Sequence, residues 1–559
     1  MKRLKIDKSV VKWLLKAAGT VKGSLIFLFA VKILQGIMGI IFAFFLRSVI
    51  DAAVAKDWDT FTRSIFFGCG IVACEIALYW LAYYFKEKPA AELSKNLRSR
   101  VFSVLLNRSY ADVSKVHTGE WMIRITSDTQ VIANAITALI PGTAGLIVQL
   151  VCAFGAMFIV LPKLAWILIP IGAGMITVSL FMRLKIKNFH KAVQEYDGQS
   201  YSFIQESLGS MSILRTFTRE EYSVKEAGDK LDKVVCARLN RARFIATCSS
   251  IVYALIRLSY FLGVAVCGIR LFEGVITYGM MAAVLQLIRQ ADLPLAEVTS
   301  AVPQFFNMIA SAERLIEIEK LEPDYNDEFV SSEAAREYYD HKLSSIGFEK
   351  VSFSYDEDNR EMVLNRFDLE IEKGSYIAFT GESGCGKSTT MNLLMGMYKP
   401  DEGTLYIKDT NGRCEELNAG WRALFAYVPQ ENLLMSGRIR DVVAFSDPDR
   451  NYDDDTIWTA LKIACAESFV RTLPSGLDTE LGERGAGLSE GQMQRLAIAR
   501  AVFSGRPILM LDESTSALDE RTERQVLDNL KAMTDVTVVI ITHRPAALQI
   551  CNKIVEFKR

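Results

Sequence analysis

The chain has 559 residues, a formal net charge of −1 and a hydrophobic fraction of 50%. This length predicts about two to four domains, and the balanced charge gives no reason to expect a nucleic-acid partner. The 10 cysteines include no C-x-x-C pair and several lie inside apolar runs, which argues against a disulfide scaffold or a zinc site. No short apolar core with a cleavage site follows the basic N-terminus, so we expect no removable signal peptide.

The apolar residues concentrate in the first 310 positions, in six runs long enough to cross a bilayer core, which takes roughly 20 helical residues. Each run has few charges, and glycine is frequent, as in helices that pack together in lipid. Buried helices of a soluble protein are the alternative, which this number of runs disfavours. The runs lie approximately at 24–46, 64–85, 137–161, 164–182, 244–272 and 278–308.

The loops between these runs alternate between long and short, and basic residues cluster beside the long ones. The positive-inside rule therefore places the N-terminus, both long loops and the C-terminal half in the cytoplasm. The long loops show helical spacing and are expected to extend the membrane helices. Their turns, around 117–120 and 201–208, are candidates for exchanging force with the soluble half, the alternative being an ordinary solvated helical hairpin.

From about residue 346 the pattern changes to short β-rich runs that alternate with helices, which is typical of an α/β domain. We therefore predict an all-α polytopic membrane domain at 1–320, with six transmembrane helices and long cytoplasmic extensions. A linker at 321–345 and an α/β P-loop NTPase domain at 346–559 are predicted to follow.

The segment Gly381-Glu-Ser-Gly-Cys-Gly-Lys-Ser388 fits the pattern G-x-x-x-x-G-K-[ST] and stands between a strand-like and a helix-like run. Its glycines let backbone N–H groups turn toward phosphate oxygens, and the following helix adds its positive end. Lys387 would reach the outer phosphates and Ser388 would bind Mg²⁺. A glycine-rich turn with a chance Gly-Lys-Ser is the alternative.

Two further segments carry chemistry. The apolar run 508–511 ends in Asp512, which suits Mg²⁺, and Glu513, which suits a general base for phosphoryl transfer. The segment Leu488-Ser-Glu-Gly-Gln492 precedes a helix and offers either an anion-binding N-terminus or an ordinary capped helix with Ser489 as N-cap. Spacing alone does not decide between these two interpretations.

In combination these motifs resemble the nucleotide-binding domain of ATP-binding cassette (ABC) transporters, in which 488–492 is similar to the signature sequence. The order of P-loop, signature and carboxylate strand matches that family. Gln430, the segment Ser516-Ala-Leu-Asp519 and His543 after an apolar strand match as well. Six membrane helices fused ahead of one such domain resemble a half-transporter of the exporter type.

The resemblance implies ATP and Mg²⁺ as cofactors. Tyr355 would stack on adenine, although a small-core aromatic is the alternative, and the catalytic set would be Glu513, His543, Gln430 and Lys387. The phosphate side would comprise Gly381, Ser383, Gly384, Cys385, Gly386, Lys387, Ser388 and Thr389. The metal would be held by Ser388, Gln430 and Asp512, and the signature side would comprise Ser489, Gly491 and Gln492 together with Asp519.

The resemblance further implies ATP-driven export by alternating access, with two nucleotide-binding domains that close on two ATP and reopen on hydrolysis. The implied partners are a second half-transporter chain, the lipid bilayer and an unidentified substrate, in a multi-pass protein of the bacterial cell membrane. A membrane-bound ATPase that gates a partner is an open alternative. A heterodimer with one weakened site is another, because Glu490 stands where the family commonly has glycine.

Ionisable and amide residues inside the apolar runs are costly in lipid and often functional. We expect them either to contact substrate or to hydrogen-bond between helices, and we expect Glu75 and Arg257 to line a central cavity. The candidates are Lys32, Glu75, Gln149, Arg257, Gln286, Arg289, Gln290 and Asn307.

Overall fold

The computed structural model divides into two units. A helical unit is formed by Met1–Leu105 with His117–Lys320, and a mixed unit by Leu106–Val116 with Leu321–Arg559. The structure describes residues 8–325, 328–355, 362–430, 434–446, 452–482, 485, 487–533 and 535–557.

Long helices dominate the helical unit because its apolar runs satisfy their backbone hydrogen bonds internally. Two π-helical turns, Arg124–Asp128 and Ala135–Leu139, lie within one continuous helical segment that spans Thr118–Val160. The helices up to residue 320 are α1 Lys8–Gly19, α2 Lys22–Ala55, α3 Trp58–Leu106, α4 Tyr110–Ser114, α5 Thr118–Ile123, α6 Thr129–Asn134, α7 Ile140–Val160, α8 Pro162–Gly209, α9 Met211–Thr216, α10 Glu220–Phe272 and α11 Tyr278–Lys320.

All six predicted membrane runs are helical among the described residues. Four helical segments there, Lys22–Ala55, Trp58–Leu106, Thr118–Val160 and Glu220–Phe272, are long and apolar enough to cross a membrane. Helix α8 begins with a shorter apolar stretch, Pro162–Val178. The apolar sequence of α11 is interrupted by charged residues, such as those at 289, 292 and 297. The helical membrane domain is therefore confirmed, but length and composition do not reproduce the count of six.

The membrane helices pack through small residues. A Cβ at Gly36 of α2 would lie 3.2 Å from the Gly145 carbonyl oxygen of α7, and one at Gly145 would lie 3.0 Å from the Lys32 carbonyl oxygen. These glycines thus let the two backbones approach closely, as in other helix pairs in lipid. The surrounding core is formed by Ala43, Met157, Leu164, Cys267 and Leu287.

The turns of the long loops differ from the regions chosen by sequence. The first turn is the segment 106–116, which contains α4 and belongs to the mixed unit, whereas 117–120 opens α5 in the helical unit. The second turn lies around Ser210–Arg219, and 201–208 is still inside α8. In the second loop, helix α8 continues to Gly209, so the turn lies after the predicted region. In the first loop, α3 ends at Leu106 and α5 begins at Thr118, so the turn lies before the predicted region.

Two sheets build the mixed unit, an antiparallel one in the order β2-β1-β4-β5 and a parallel one in the order β11-β3-β10-β9-β6. Strands β7 and β8 form a separate antiparallel pair. The strands are β1 Leu343–Phe353, β2 Leu364–Glu372, β3 Tyr376–Gly381, β4 Glu402–Asp409, β5 Cys414–Glu416, β6 Phe425–Val428, β7 Gly437–Arg438, β8 Glu480–Leu481, β9 Ile508–Asp512, β10 Thr537–Ile541 and β11 Lys553–Phe557.

Helices flank these sheets. Helix α12 lies inside the segment predicted as a linker, and its buried Tyr339 makes a 2.9 Å hydrogen bond with the Thr537 hydroxyl at the start of β10. The helices are α12 Ser332–His341, α13 Lys387–Leu394, α14 Ile439–Val443, α15 Asp454–Ile463, α16 Glu467–Thr472, α17 Glu490–Phe503, α18 Glu520–Lys531 and α19 Pro545–Ile550, with 3-10 turns at Ala419–Leu424 and Gly476–Asp478.

The parallel sheet positions the site. Strands β9 and β10 are buried along their whole length, as their continuous apolar sequences predict for central parallel strands. In the register, Ile541 of β10 pairs with Phe379 of β3 on one side and with Asp512 of β9 on the other. The segments that follow these three strands therefore emerge at one edge of the sheet, where ligands bind in open α/β folds.

Candidate functional site

The P-loop follows β3 directly and needs its glycines. Gly381, Gly384 and Gly386 have φ angles of +133°, +83° and +97°, in the left-handed region. A Cβ at Gly381 would also lie 2.4 Å from the Phe557 carbonyl oxygen of β11. Ser383 lies at the exposed tip of the loop. Helix α13 begins at Lys387, where the loop ends, so the positive N-terminal end of this helix adjoins the loop.

Lys387 is buried within the curve of the P-loop, with an exposed fraction of 7%. Its Nζ donates to the carbonyl oxygens of Gly381 at 2.6 Å and Glu382 at 2.7 Å, and lies 3.7 Å from Cys385 Sγ. Neutral carbonyl partners do not cancel the positive charge of the ammonium group, so it can bind phosphate oxygens at this position.

Asp512 ends β9 as a buried carboxylate, with 4% of the residue exposed. Burial is the largest influence on Asp512 and raises its pKa, although the nearby hydroxyls of Ser388 and Tyr427 lower it. The Tyr427 hydroxyl donates to Asp512 Oδ2 at 3.4 Å, and burial together with the nearby Asp512 raises the pKa of Tyr427. A desolvated carboxylate beside a hydroxyl is a site that a hard cation would stabilise.

Glu513 leaves the strand in a strained conformation, with φ at +47°. Its backbone N–H donates to the Ile541 carbonyl of β10 at 3.1 Å, which anchors this turn. Its Oε2 accepts a 3.0 Å hydrogen bond from Gln430 Nε2. The structure thus brings the predicted base and Gln430 together beside Asp512, although the two are 83 positions apart in sequence.

The surroundings of Tyr355 agree in part with each of its two predicted roles, stacking on adenine and packing in a small aromatic core. The residue is 48% exposed, and its hydroxyl makes a 3.0 Å hydrogen bond with Oγ1 of Thr389 in α13. One side of the ring packs edge to face against Tyr398, at a centroid distance of 5.2 Å, and against Phe353 at 4.9 Å. The rest of the ring stays accessible for stacking on a planar ligand.

The signature segment forms a capping box at the start of α17. The Ser489 side chain accepts from the Gln492 backbone N–H at 3.3 Å, and Gln492 Oε1 accepts from the Ser489 N–H at 2.8 Å. Gly491 is required there, because a Cβ would lie 2.9 Å from the Ala517 carbonyl oxygen. The capped helix is therefore present, and its exposed N-terminus leaves the anion-binding interpretation open as well.

The remaining two predicted residues lie on adjacent segments. Asp519 is the N-cap of α18 and accepts from the Thr522 N–H at 3.0 Å. His543 is exposed two residues after the end of β10. In the parts of the chain that the structure describes, no group of three or more His, Cys, Asp or Glu residues could hold a metal ion alone.

Sequence reasoning did not predict the role of Arg544. Its Nη1 donates to Glu523 Oε2 at 2.9 Å and to the Leu518 carbonyl at 2.8 Å, and its Nη2 donates to the Ser516 carbonyl at 2.5 Å. Arg544 therefore fixes the segment 516–519 next to the turn that carries His543. The only signal in the sequence was an arginine directly after that histidine.

In the helical unit, two of the intramembrane candidates hydrogen-bond to each other, and a third bonds within its own helix. Gln149 Nε2 of α7 donates to Gln290 Oε1 of α11 at 2.5 Å, and Lys32 Nζ donates to Gln35 Oε1 at 3.1 Å. For Gln149 and Gln290 the structure therefore shows the helix-to-helix role. Gln286, Arg289 and Asn307 lie on α11.

The two residues expected to line a cavity lie in different surroundings. Glu75 lines an open groove with Gln35, Ile76 and Tyr79. Arg257 donates from Nε to the Tyr253 hydroxyl at 2.8 Å, with its guanidinium 4.9 Å from that ring.

A buried carboxylate in the membrane helices escaped the sequence analysis. Asp292 of α11 is only 8% exposed and accepts a 2.7 Å hydrogen bond from the Ser259 hydroxyl of α10. It lies in the same apolar run as Gln290, and as an ionisable residue inside such a run it belongs among the intramembrane candidates.

Comparisons with known proteins agree with this architecture. The family model for the ABC transporter transmembrane region matches residues 25–291, and the ABC transporter model matches residues 364–516. ABC transporter B family member 1 of Dictyostelium discoideum is 30% identical over 480 residues, a match covering 85% of this chain and 51% of that protein, so the chain spans about half of its length. An ATP-dependent lipid A-core flippase of Desulfotalea psychrophila is 29% identical over 510 residues, covering 89% of this chain and 84% of that protein.

The fold itself has a solved counterpart. The structure of a bacterial Atm1-family ABC exporter with ATP bound aligns with a TM-score of 0.82 at 21% identity. The alignment covers 97% of this chain and 94% of that one, so the likeness extends over both units.

Proposed function

The chain belongs to the ABC transporter family, and we propose that it is an exporter-type half-transporter that couples ATP hydrolysis to export. It would work as a dimer, with two ATP sites between the chains. The membrane domain would occupy 1–320, a linker 321–345 and the nucleotide-binding domain 346–559. The basic residues beside the long loops support a cytoplasmic N-terminus and ATPase domain, and we place the protein in the bacterial plasma membrane.

The phosphates of ATP would lie in the P-loop, where backbone N–H groups, the start of α13 and the Lys387 ammonium converge. Tyr355 would stack on adenine through its accessible ring. Thr389 would hold phosphate from the first turn of α13, near its present bond to the Tyr355 hydroxyl.

The residues beside the P-loop fit Mg²⁺. Ser388 and Asp512 offer neighbouring oxygen atoms, and Gln430 offers an amide oxygen. Burial raises the pKa of Asp512, so a cation at this position would stabilise its charged form. These three residues would hold the ion, which when bound neutralises charge on the β- and γ-phosphate oxygens.

For hydrolysis, Glu513 would accept a proton from the attacking water. The Gln430 amide fixes this carboxylate through its 3.0 Å hydrogen bond, and the anchored turn at Glu513 fixes the backbone beneath it. His543 would contact the γ-phosphate as a hydrogen-bond donor. Because phosphoryl transfer depends mainly on positioning and charge neutralisation, a rigid carboxylate beside a cation site is the chemistry required.

The observation that supports the dimer is the exposure of the signature segment. The P-loop, Asp512 and Glu513 follow strands β3 and β9 at one edge of the parallel sheet. Ser489 lies exposed at the start of α17, where its side chain accepts from the Gln492 N–H. Ser489, Gly491 and Gln492 would contact the ATP held by the opposite chain, and Asp519 would hold the neighbouring segment in place. Closure on ATP would then pull on the membrane helices, and substrate affinity must differ between the two states for transport to do work.

The chain expressed alone in detergent or nanodiscs tests this proposal. We expect the mass of two chains by light scattering, together with Mg²⁺-dependent ATP hydrolysis. A chain that stays monomeric and inactive until a different half-transporter is added would instead indicate a heterodimer, in which Glu490 weakens one of the two sites.

Alkylation of Cys385 is expected to block ATP hydrolysis. The thiol is buried inside the P-loop and lies 3.7 Å from Lys387 Nζ, so an added group would displace the loop or the ammonium group that is proposed to bind phosphate. ATP should slow the labelling. The control is Cys385→Ala, which should hydrolyse ATP and resist the reagent, whereas full activity after complete labelling of Cys385 would contradict this arrangement.

A further inference from the structure

Three tyrosines form a continuous series of ring contacts inside the mixed unit. Tyr355 packs edge to face against Tyr398, at a centroid distance of 5.2 Å and an interplanar angle of 90°. Tyr398 in turn packs edge to face against Tyr110, at 5.7 Å and 88°. The series therefore runs from the ring proposed to stack on adenine to helix α4, in the segment 106–116.

Helix α4 presents two side chains to Tyr398. Tyr110 and Ser114 are four residues apart, which places them on one face of the helix, and the Ser114 hydroxyl lies 3.5 Å from the Tyr398 hydroxyl. The chain leaves the helical unit at Leu105 and re-enters it at His117. The contact with Tyr398 is thus made by the turn of the first long loop between membrane helices.

A second attachment holds the segment 106–116 independently of the tyrosines. Backbone hydrogen bonds join Ser109 N–H to the Glu322 carbonyl at 2.9 Å and Asp324 N–H to the Asn107 carbonyl at 3.0 Å. The Asp324 carboxylate is bound by the Arg422 guanidinium. The segment therefore stays in the mixed unit through this backbone ladder, and the tyrosine contact adds a connection to the ATP site.

Tyr398 is placed to respond to the ATP site. It follows α13, the helix that begins at Lys387 in the P-loop, and it packs on Phe353 at 5.6 Å as well as on Tyr355. An edge-to-face pair has a preferred mutual orientation. A base stacked on Tyr355 would restrict the rotation of that ring, and through the two edge-to-face contacts it would restrict the rotation of Tyr398 and Tyr110.

We propose that Tyr398 is a positioning residue through which adenine bound at Tyr355 steadies the segment 106–116. This inference rests on the proposed function, because it requires that Tyr355 contacts the base. It assigns Tyr398 no contact with the reacting atoms. Its consequence is that the base of the nucleotide, as distinct from its phosphates, strengthens the attachment of the first long loop.

Hydrogen exchange of the full-length protein, measured by mass spectrometry with and without a nonhydrolysable ATP analogue, tests the proposal. In the wild type the analogue should slow exchange in both 381–389 and 106–116. In Tyr398→Leu it should still slow exchange in 381–389, while the slowing in 106–116 should fall by about 2- to 10-fold, the range expected for losing one aromatic pair. Tyr398→Phe keeps both ring contacts and should behave like the wild type.

Inorganic tripolyphosphate separates the base from the phosphates. At a concentration that protects 381–389 as well as the analogue does, it should leave exchange in 106–116 unchanged. Equal protection of 106–116 by tripolyphosphate, or by the analogue in Tyr398→Leu, would overturn the inference. Failure of the analogue to protect 381–389 in the wild type would instead overturn the proposed ATP site.

Discussion

Replacing Glu513 with Gln is expected to lower the turnover of ATP by about 10²- to 10⁴-fold, the usual contribution of a positioned general base. An amide cannot accept the proton of the attacking water at neutral pH. The substitution keeps the size of the side chain, and the Gln430 amide can still donate to the new amide oxygen, so the local geometry should survive. The affinity for ATP should therefore stay within a few-fold of the wild type, since binding depends on the P-loop.

Steady-state ATPase assays and equilibrium binding of ATP check the two halves of this prediction. Glu520→Gln is the matched control, because Glu520 lies in the same domain, is exposed and pairs with Arg524 on the surface of α18. It should change neither quantity. Turnover of Glu513→Gln within ten-fold of the wild type would remove Glu513 from the role of base.

Replacing Arg544 with Ala is expected to destabilise the mixed unit by about 3 kcal/mol, because it strands a buried charge. Glu523 is 2% exposed and holds the Arg544 guanidinium at 2.9 Å. Its second oxygen accepts from the Thr515 hydroxyl at 2.8 Å. The substitution also leaves the Ser516 and Leu518 carbonyls without their donor, so the segment before α18 should loosen.

Hydrogen exchange in α18 and the midpoint of chemical denaturation measure this effect. The double variant Arg544→Ala with Glu523→Gln removes the stranded charge and should recover part of the loss. Arg524→Ala breaks an exposed ion pair on the same helix and should change stability by less than about 0.5 kcal/mol. A loss in Arg544→Ala no larger than in this control would show that the buried pair contributes nothing.

Local geometry explains which parts of the site could be predicted. The P-loop glycines and the strand ending in Asp512 are dictated by neighbours in sequence, so their pattern carries their conformation. The alternation of apolar runs likewise located the membrane helices. The fold class followed from these features, and the parallel sheet then brought the separate motifs to one edge.

The parts that could not be predicted depend on partners far apart in the chain. Arg544 and Glu523 lie on different elements, as do Asp292 and Ser259, and no periodicity relates the members of such pairs. The assignment of the segment 106–116 to the mixed unit is of the same kind, because its attachments come from residues more than 200 positions away. Composition also overestimated the apolar character of α11, where charges interrupt the run.

The central claim, that each ATP lies between two chains, is tested most directly by mixed dimers. Lys387→Met disables the P-loop of one chain, and Ser489→Arg blocks the exposed signature of the other, at a cost of about 1 kcal/mol for the lost N-cap. Two different affinity tags isolate dimers that contain one chain of each kind, and their ATPase activity is compared with that of each parent homodimer.

If the sites form between the chains, the mixed dimer places both defects in one site and leaves the other intact. We therefore expect both parent homodimers to be inactive and the mixed dimer to recover activity, up to about half that of the wild type in a symmetric pair. A mixed dimer as inactive as its parents would contradict the account, because that result is expected if each chain builds its ATP site alone.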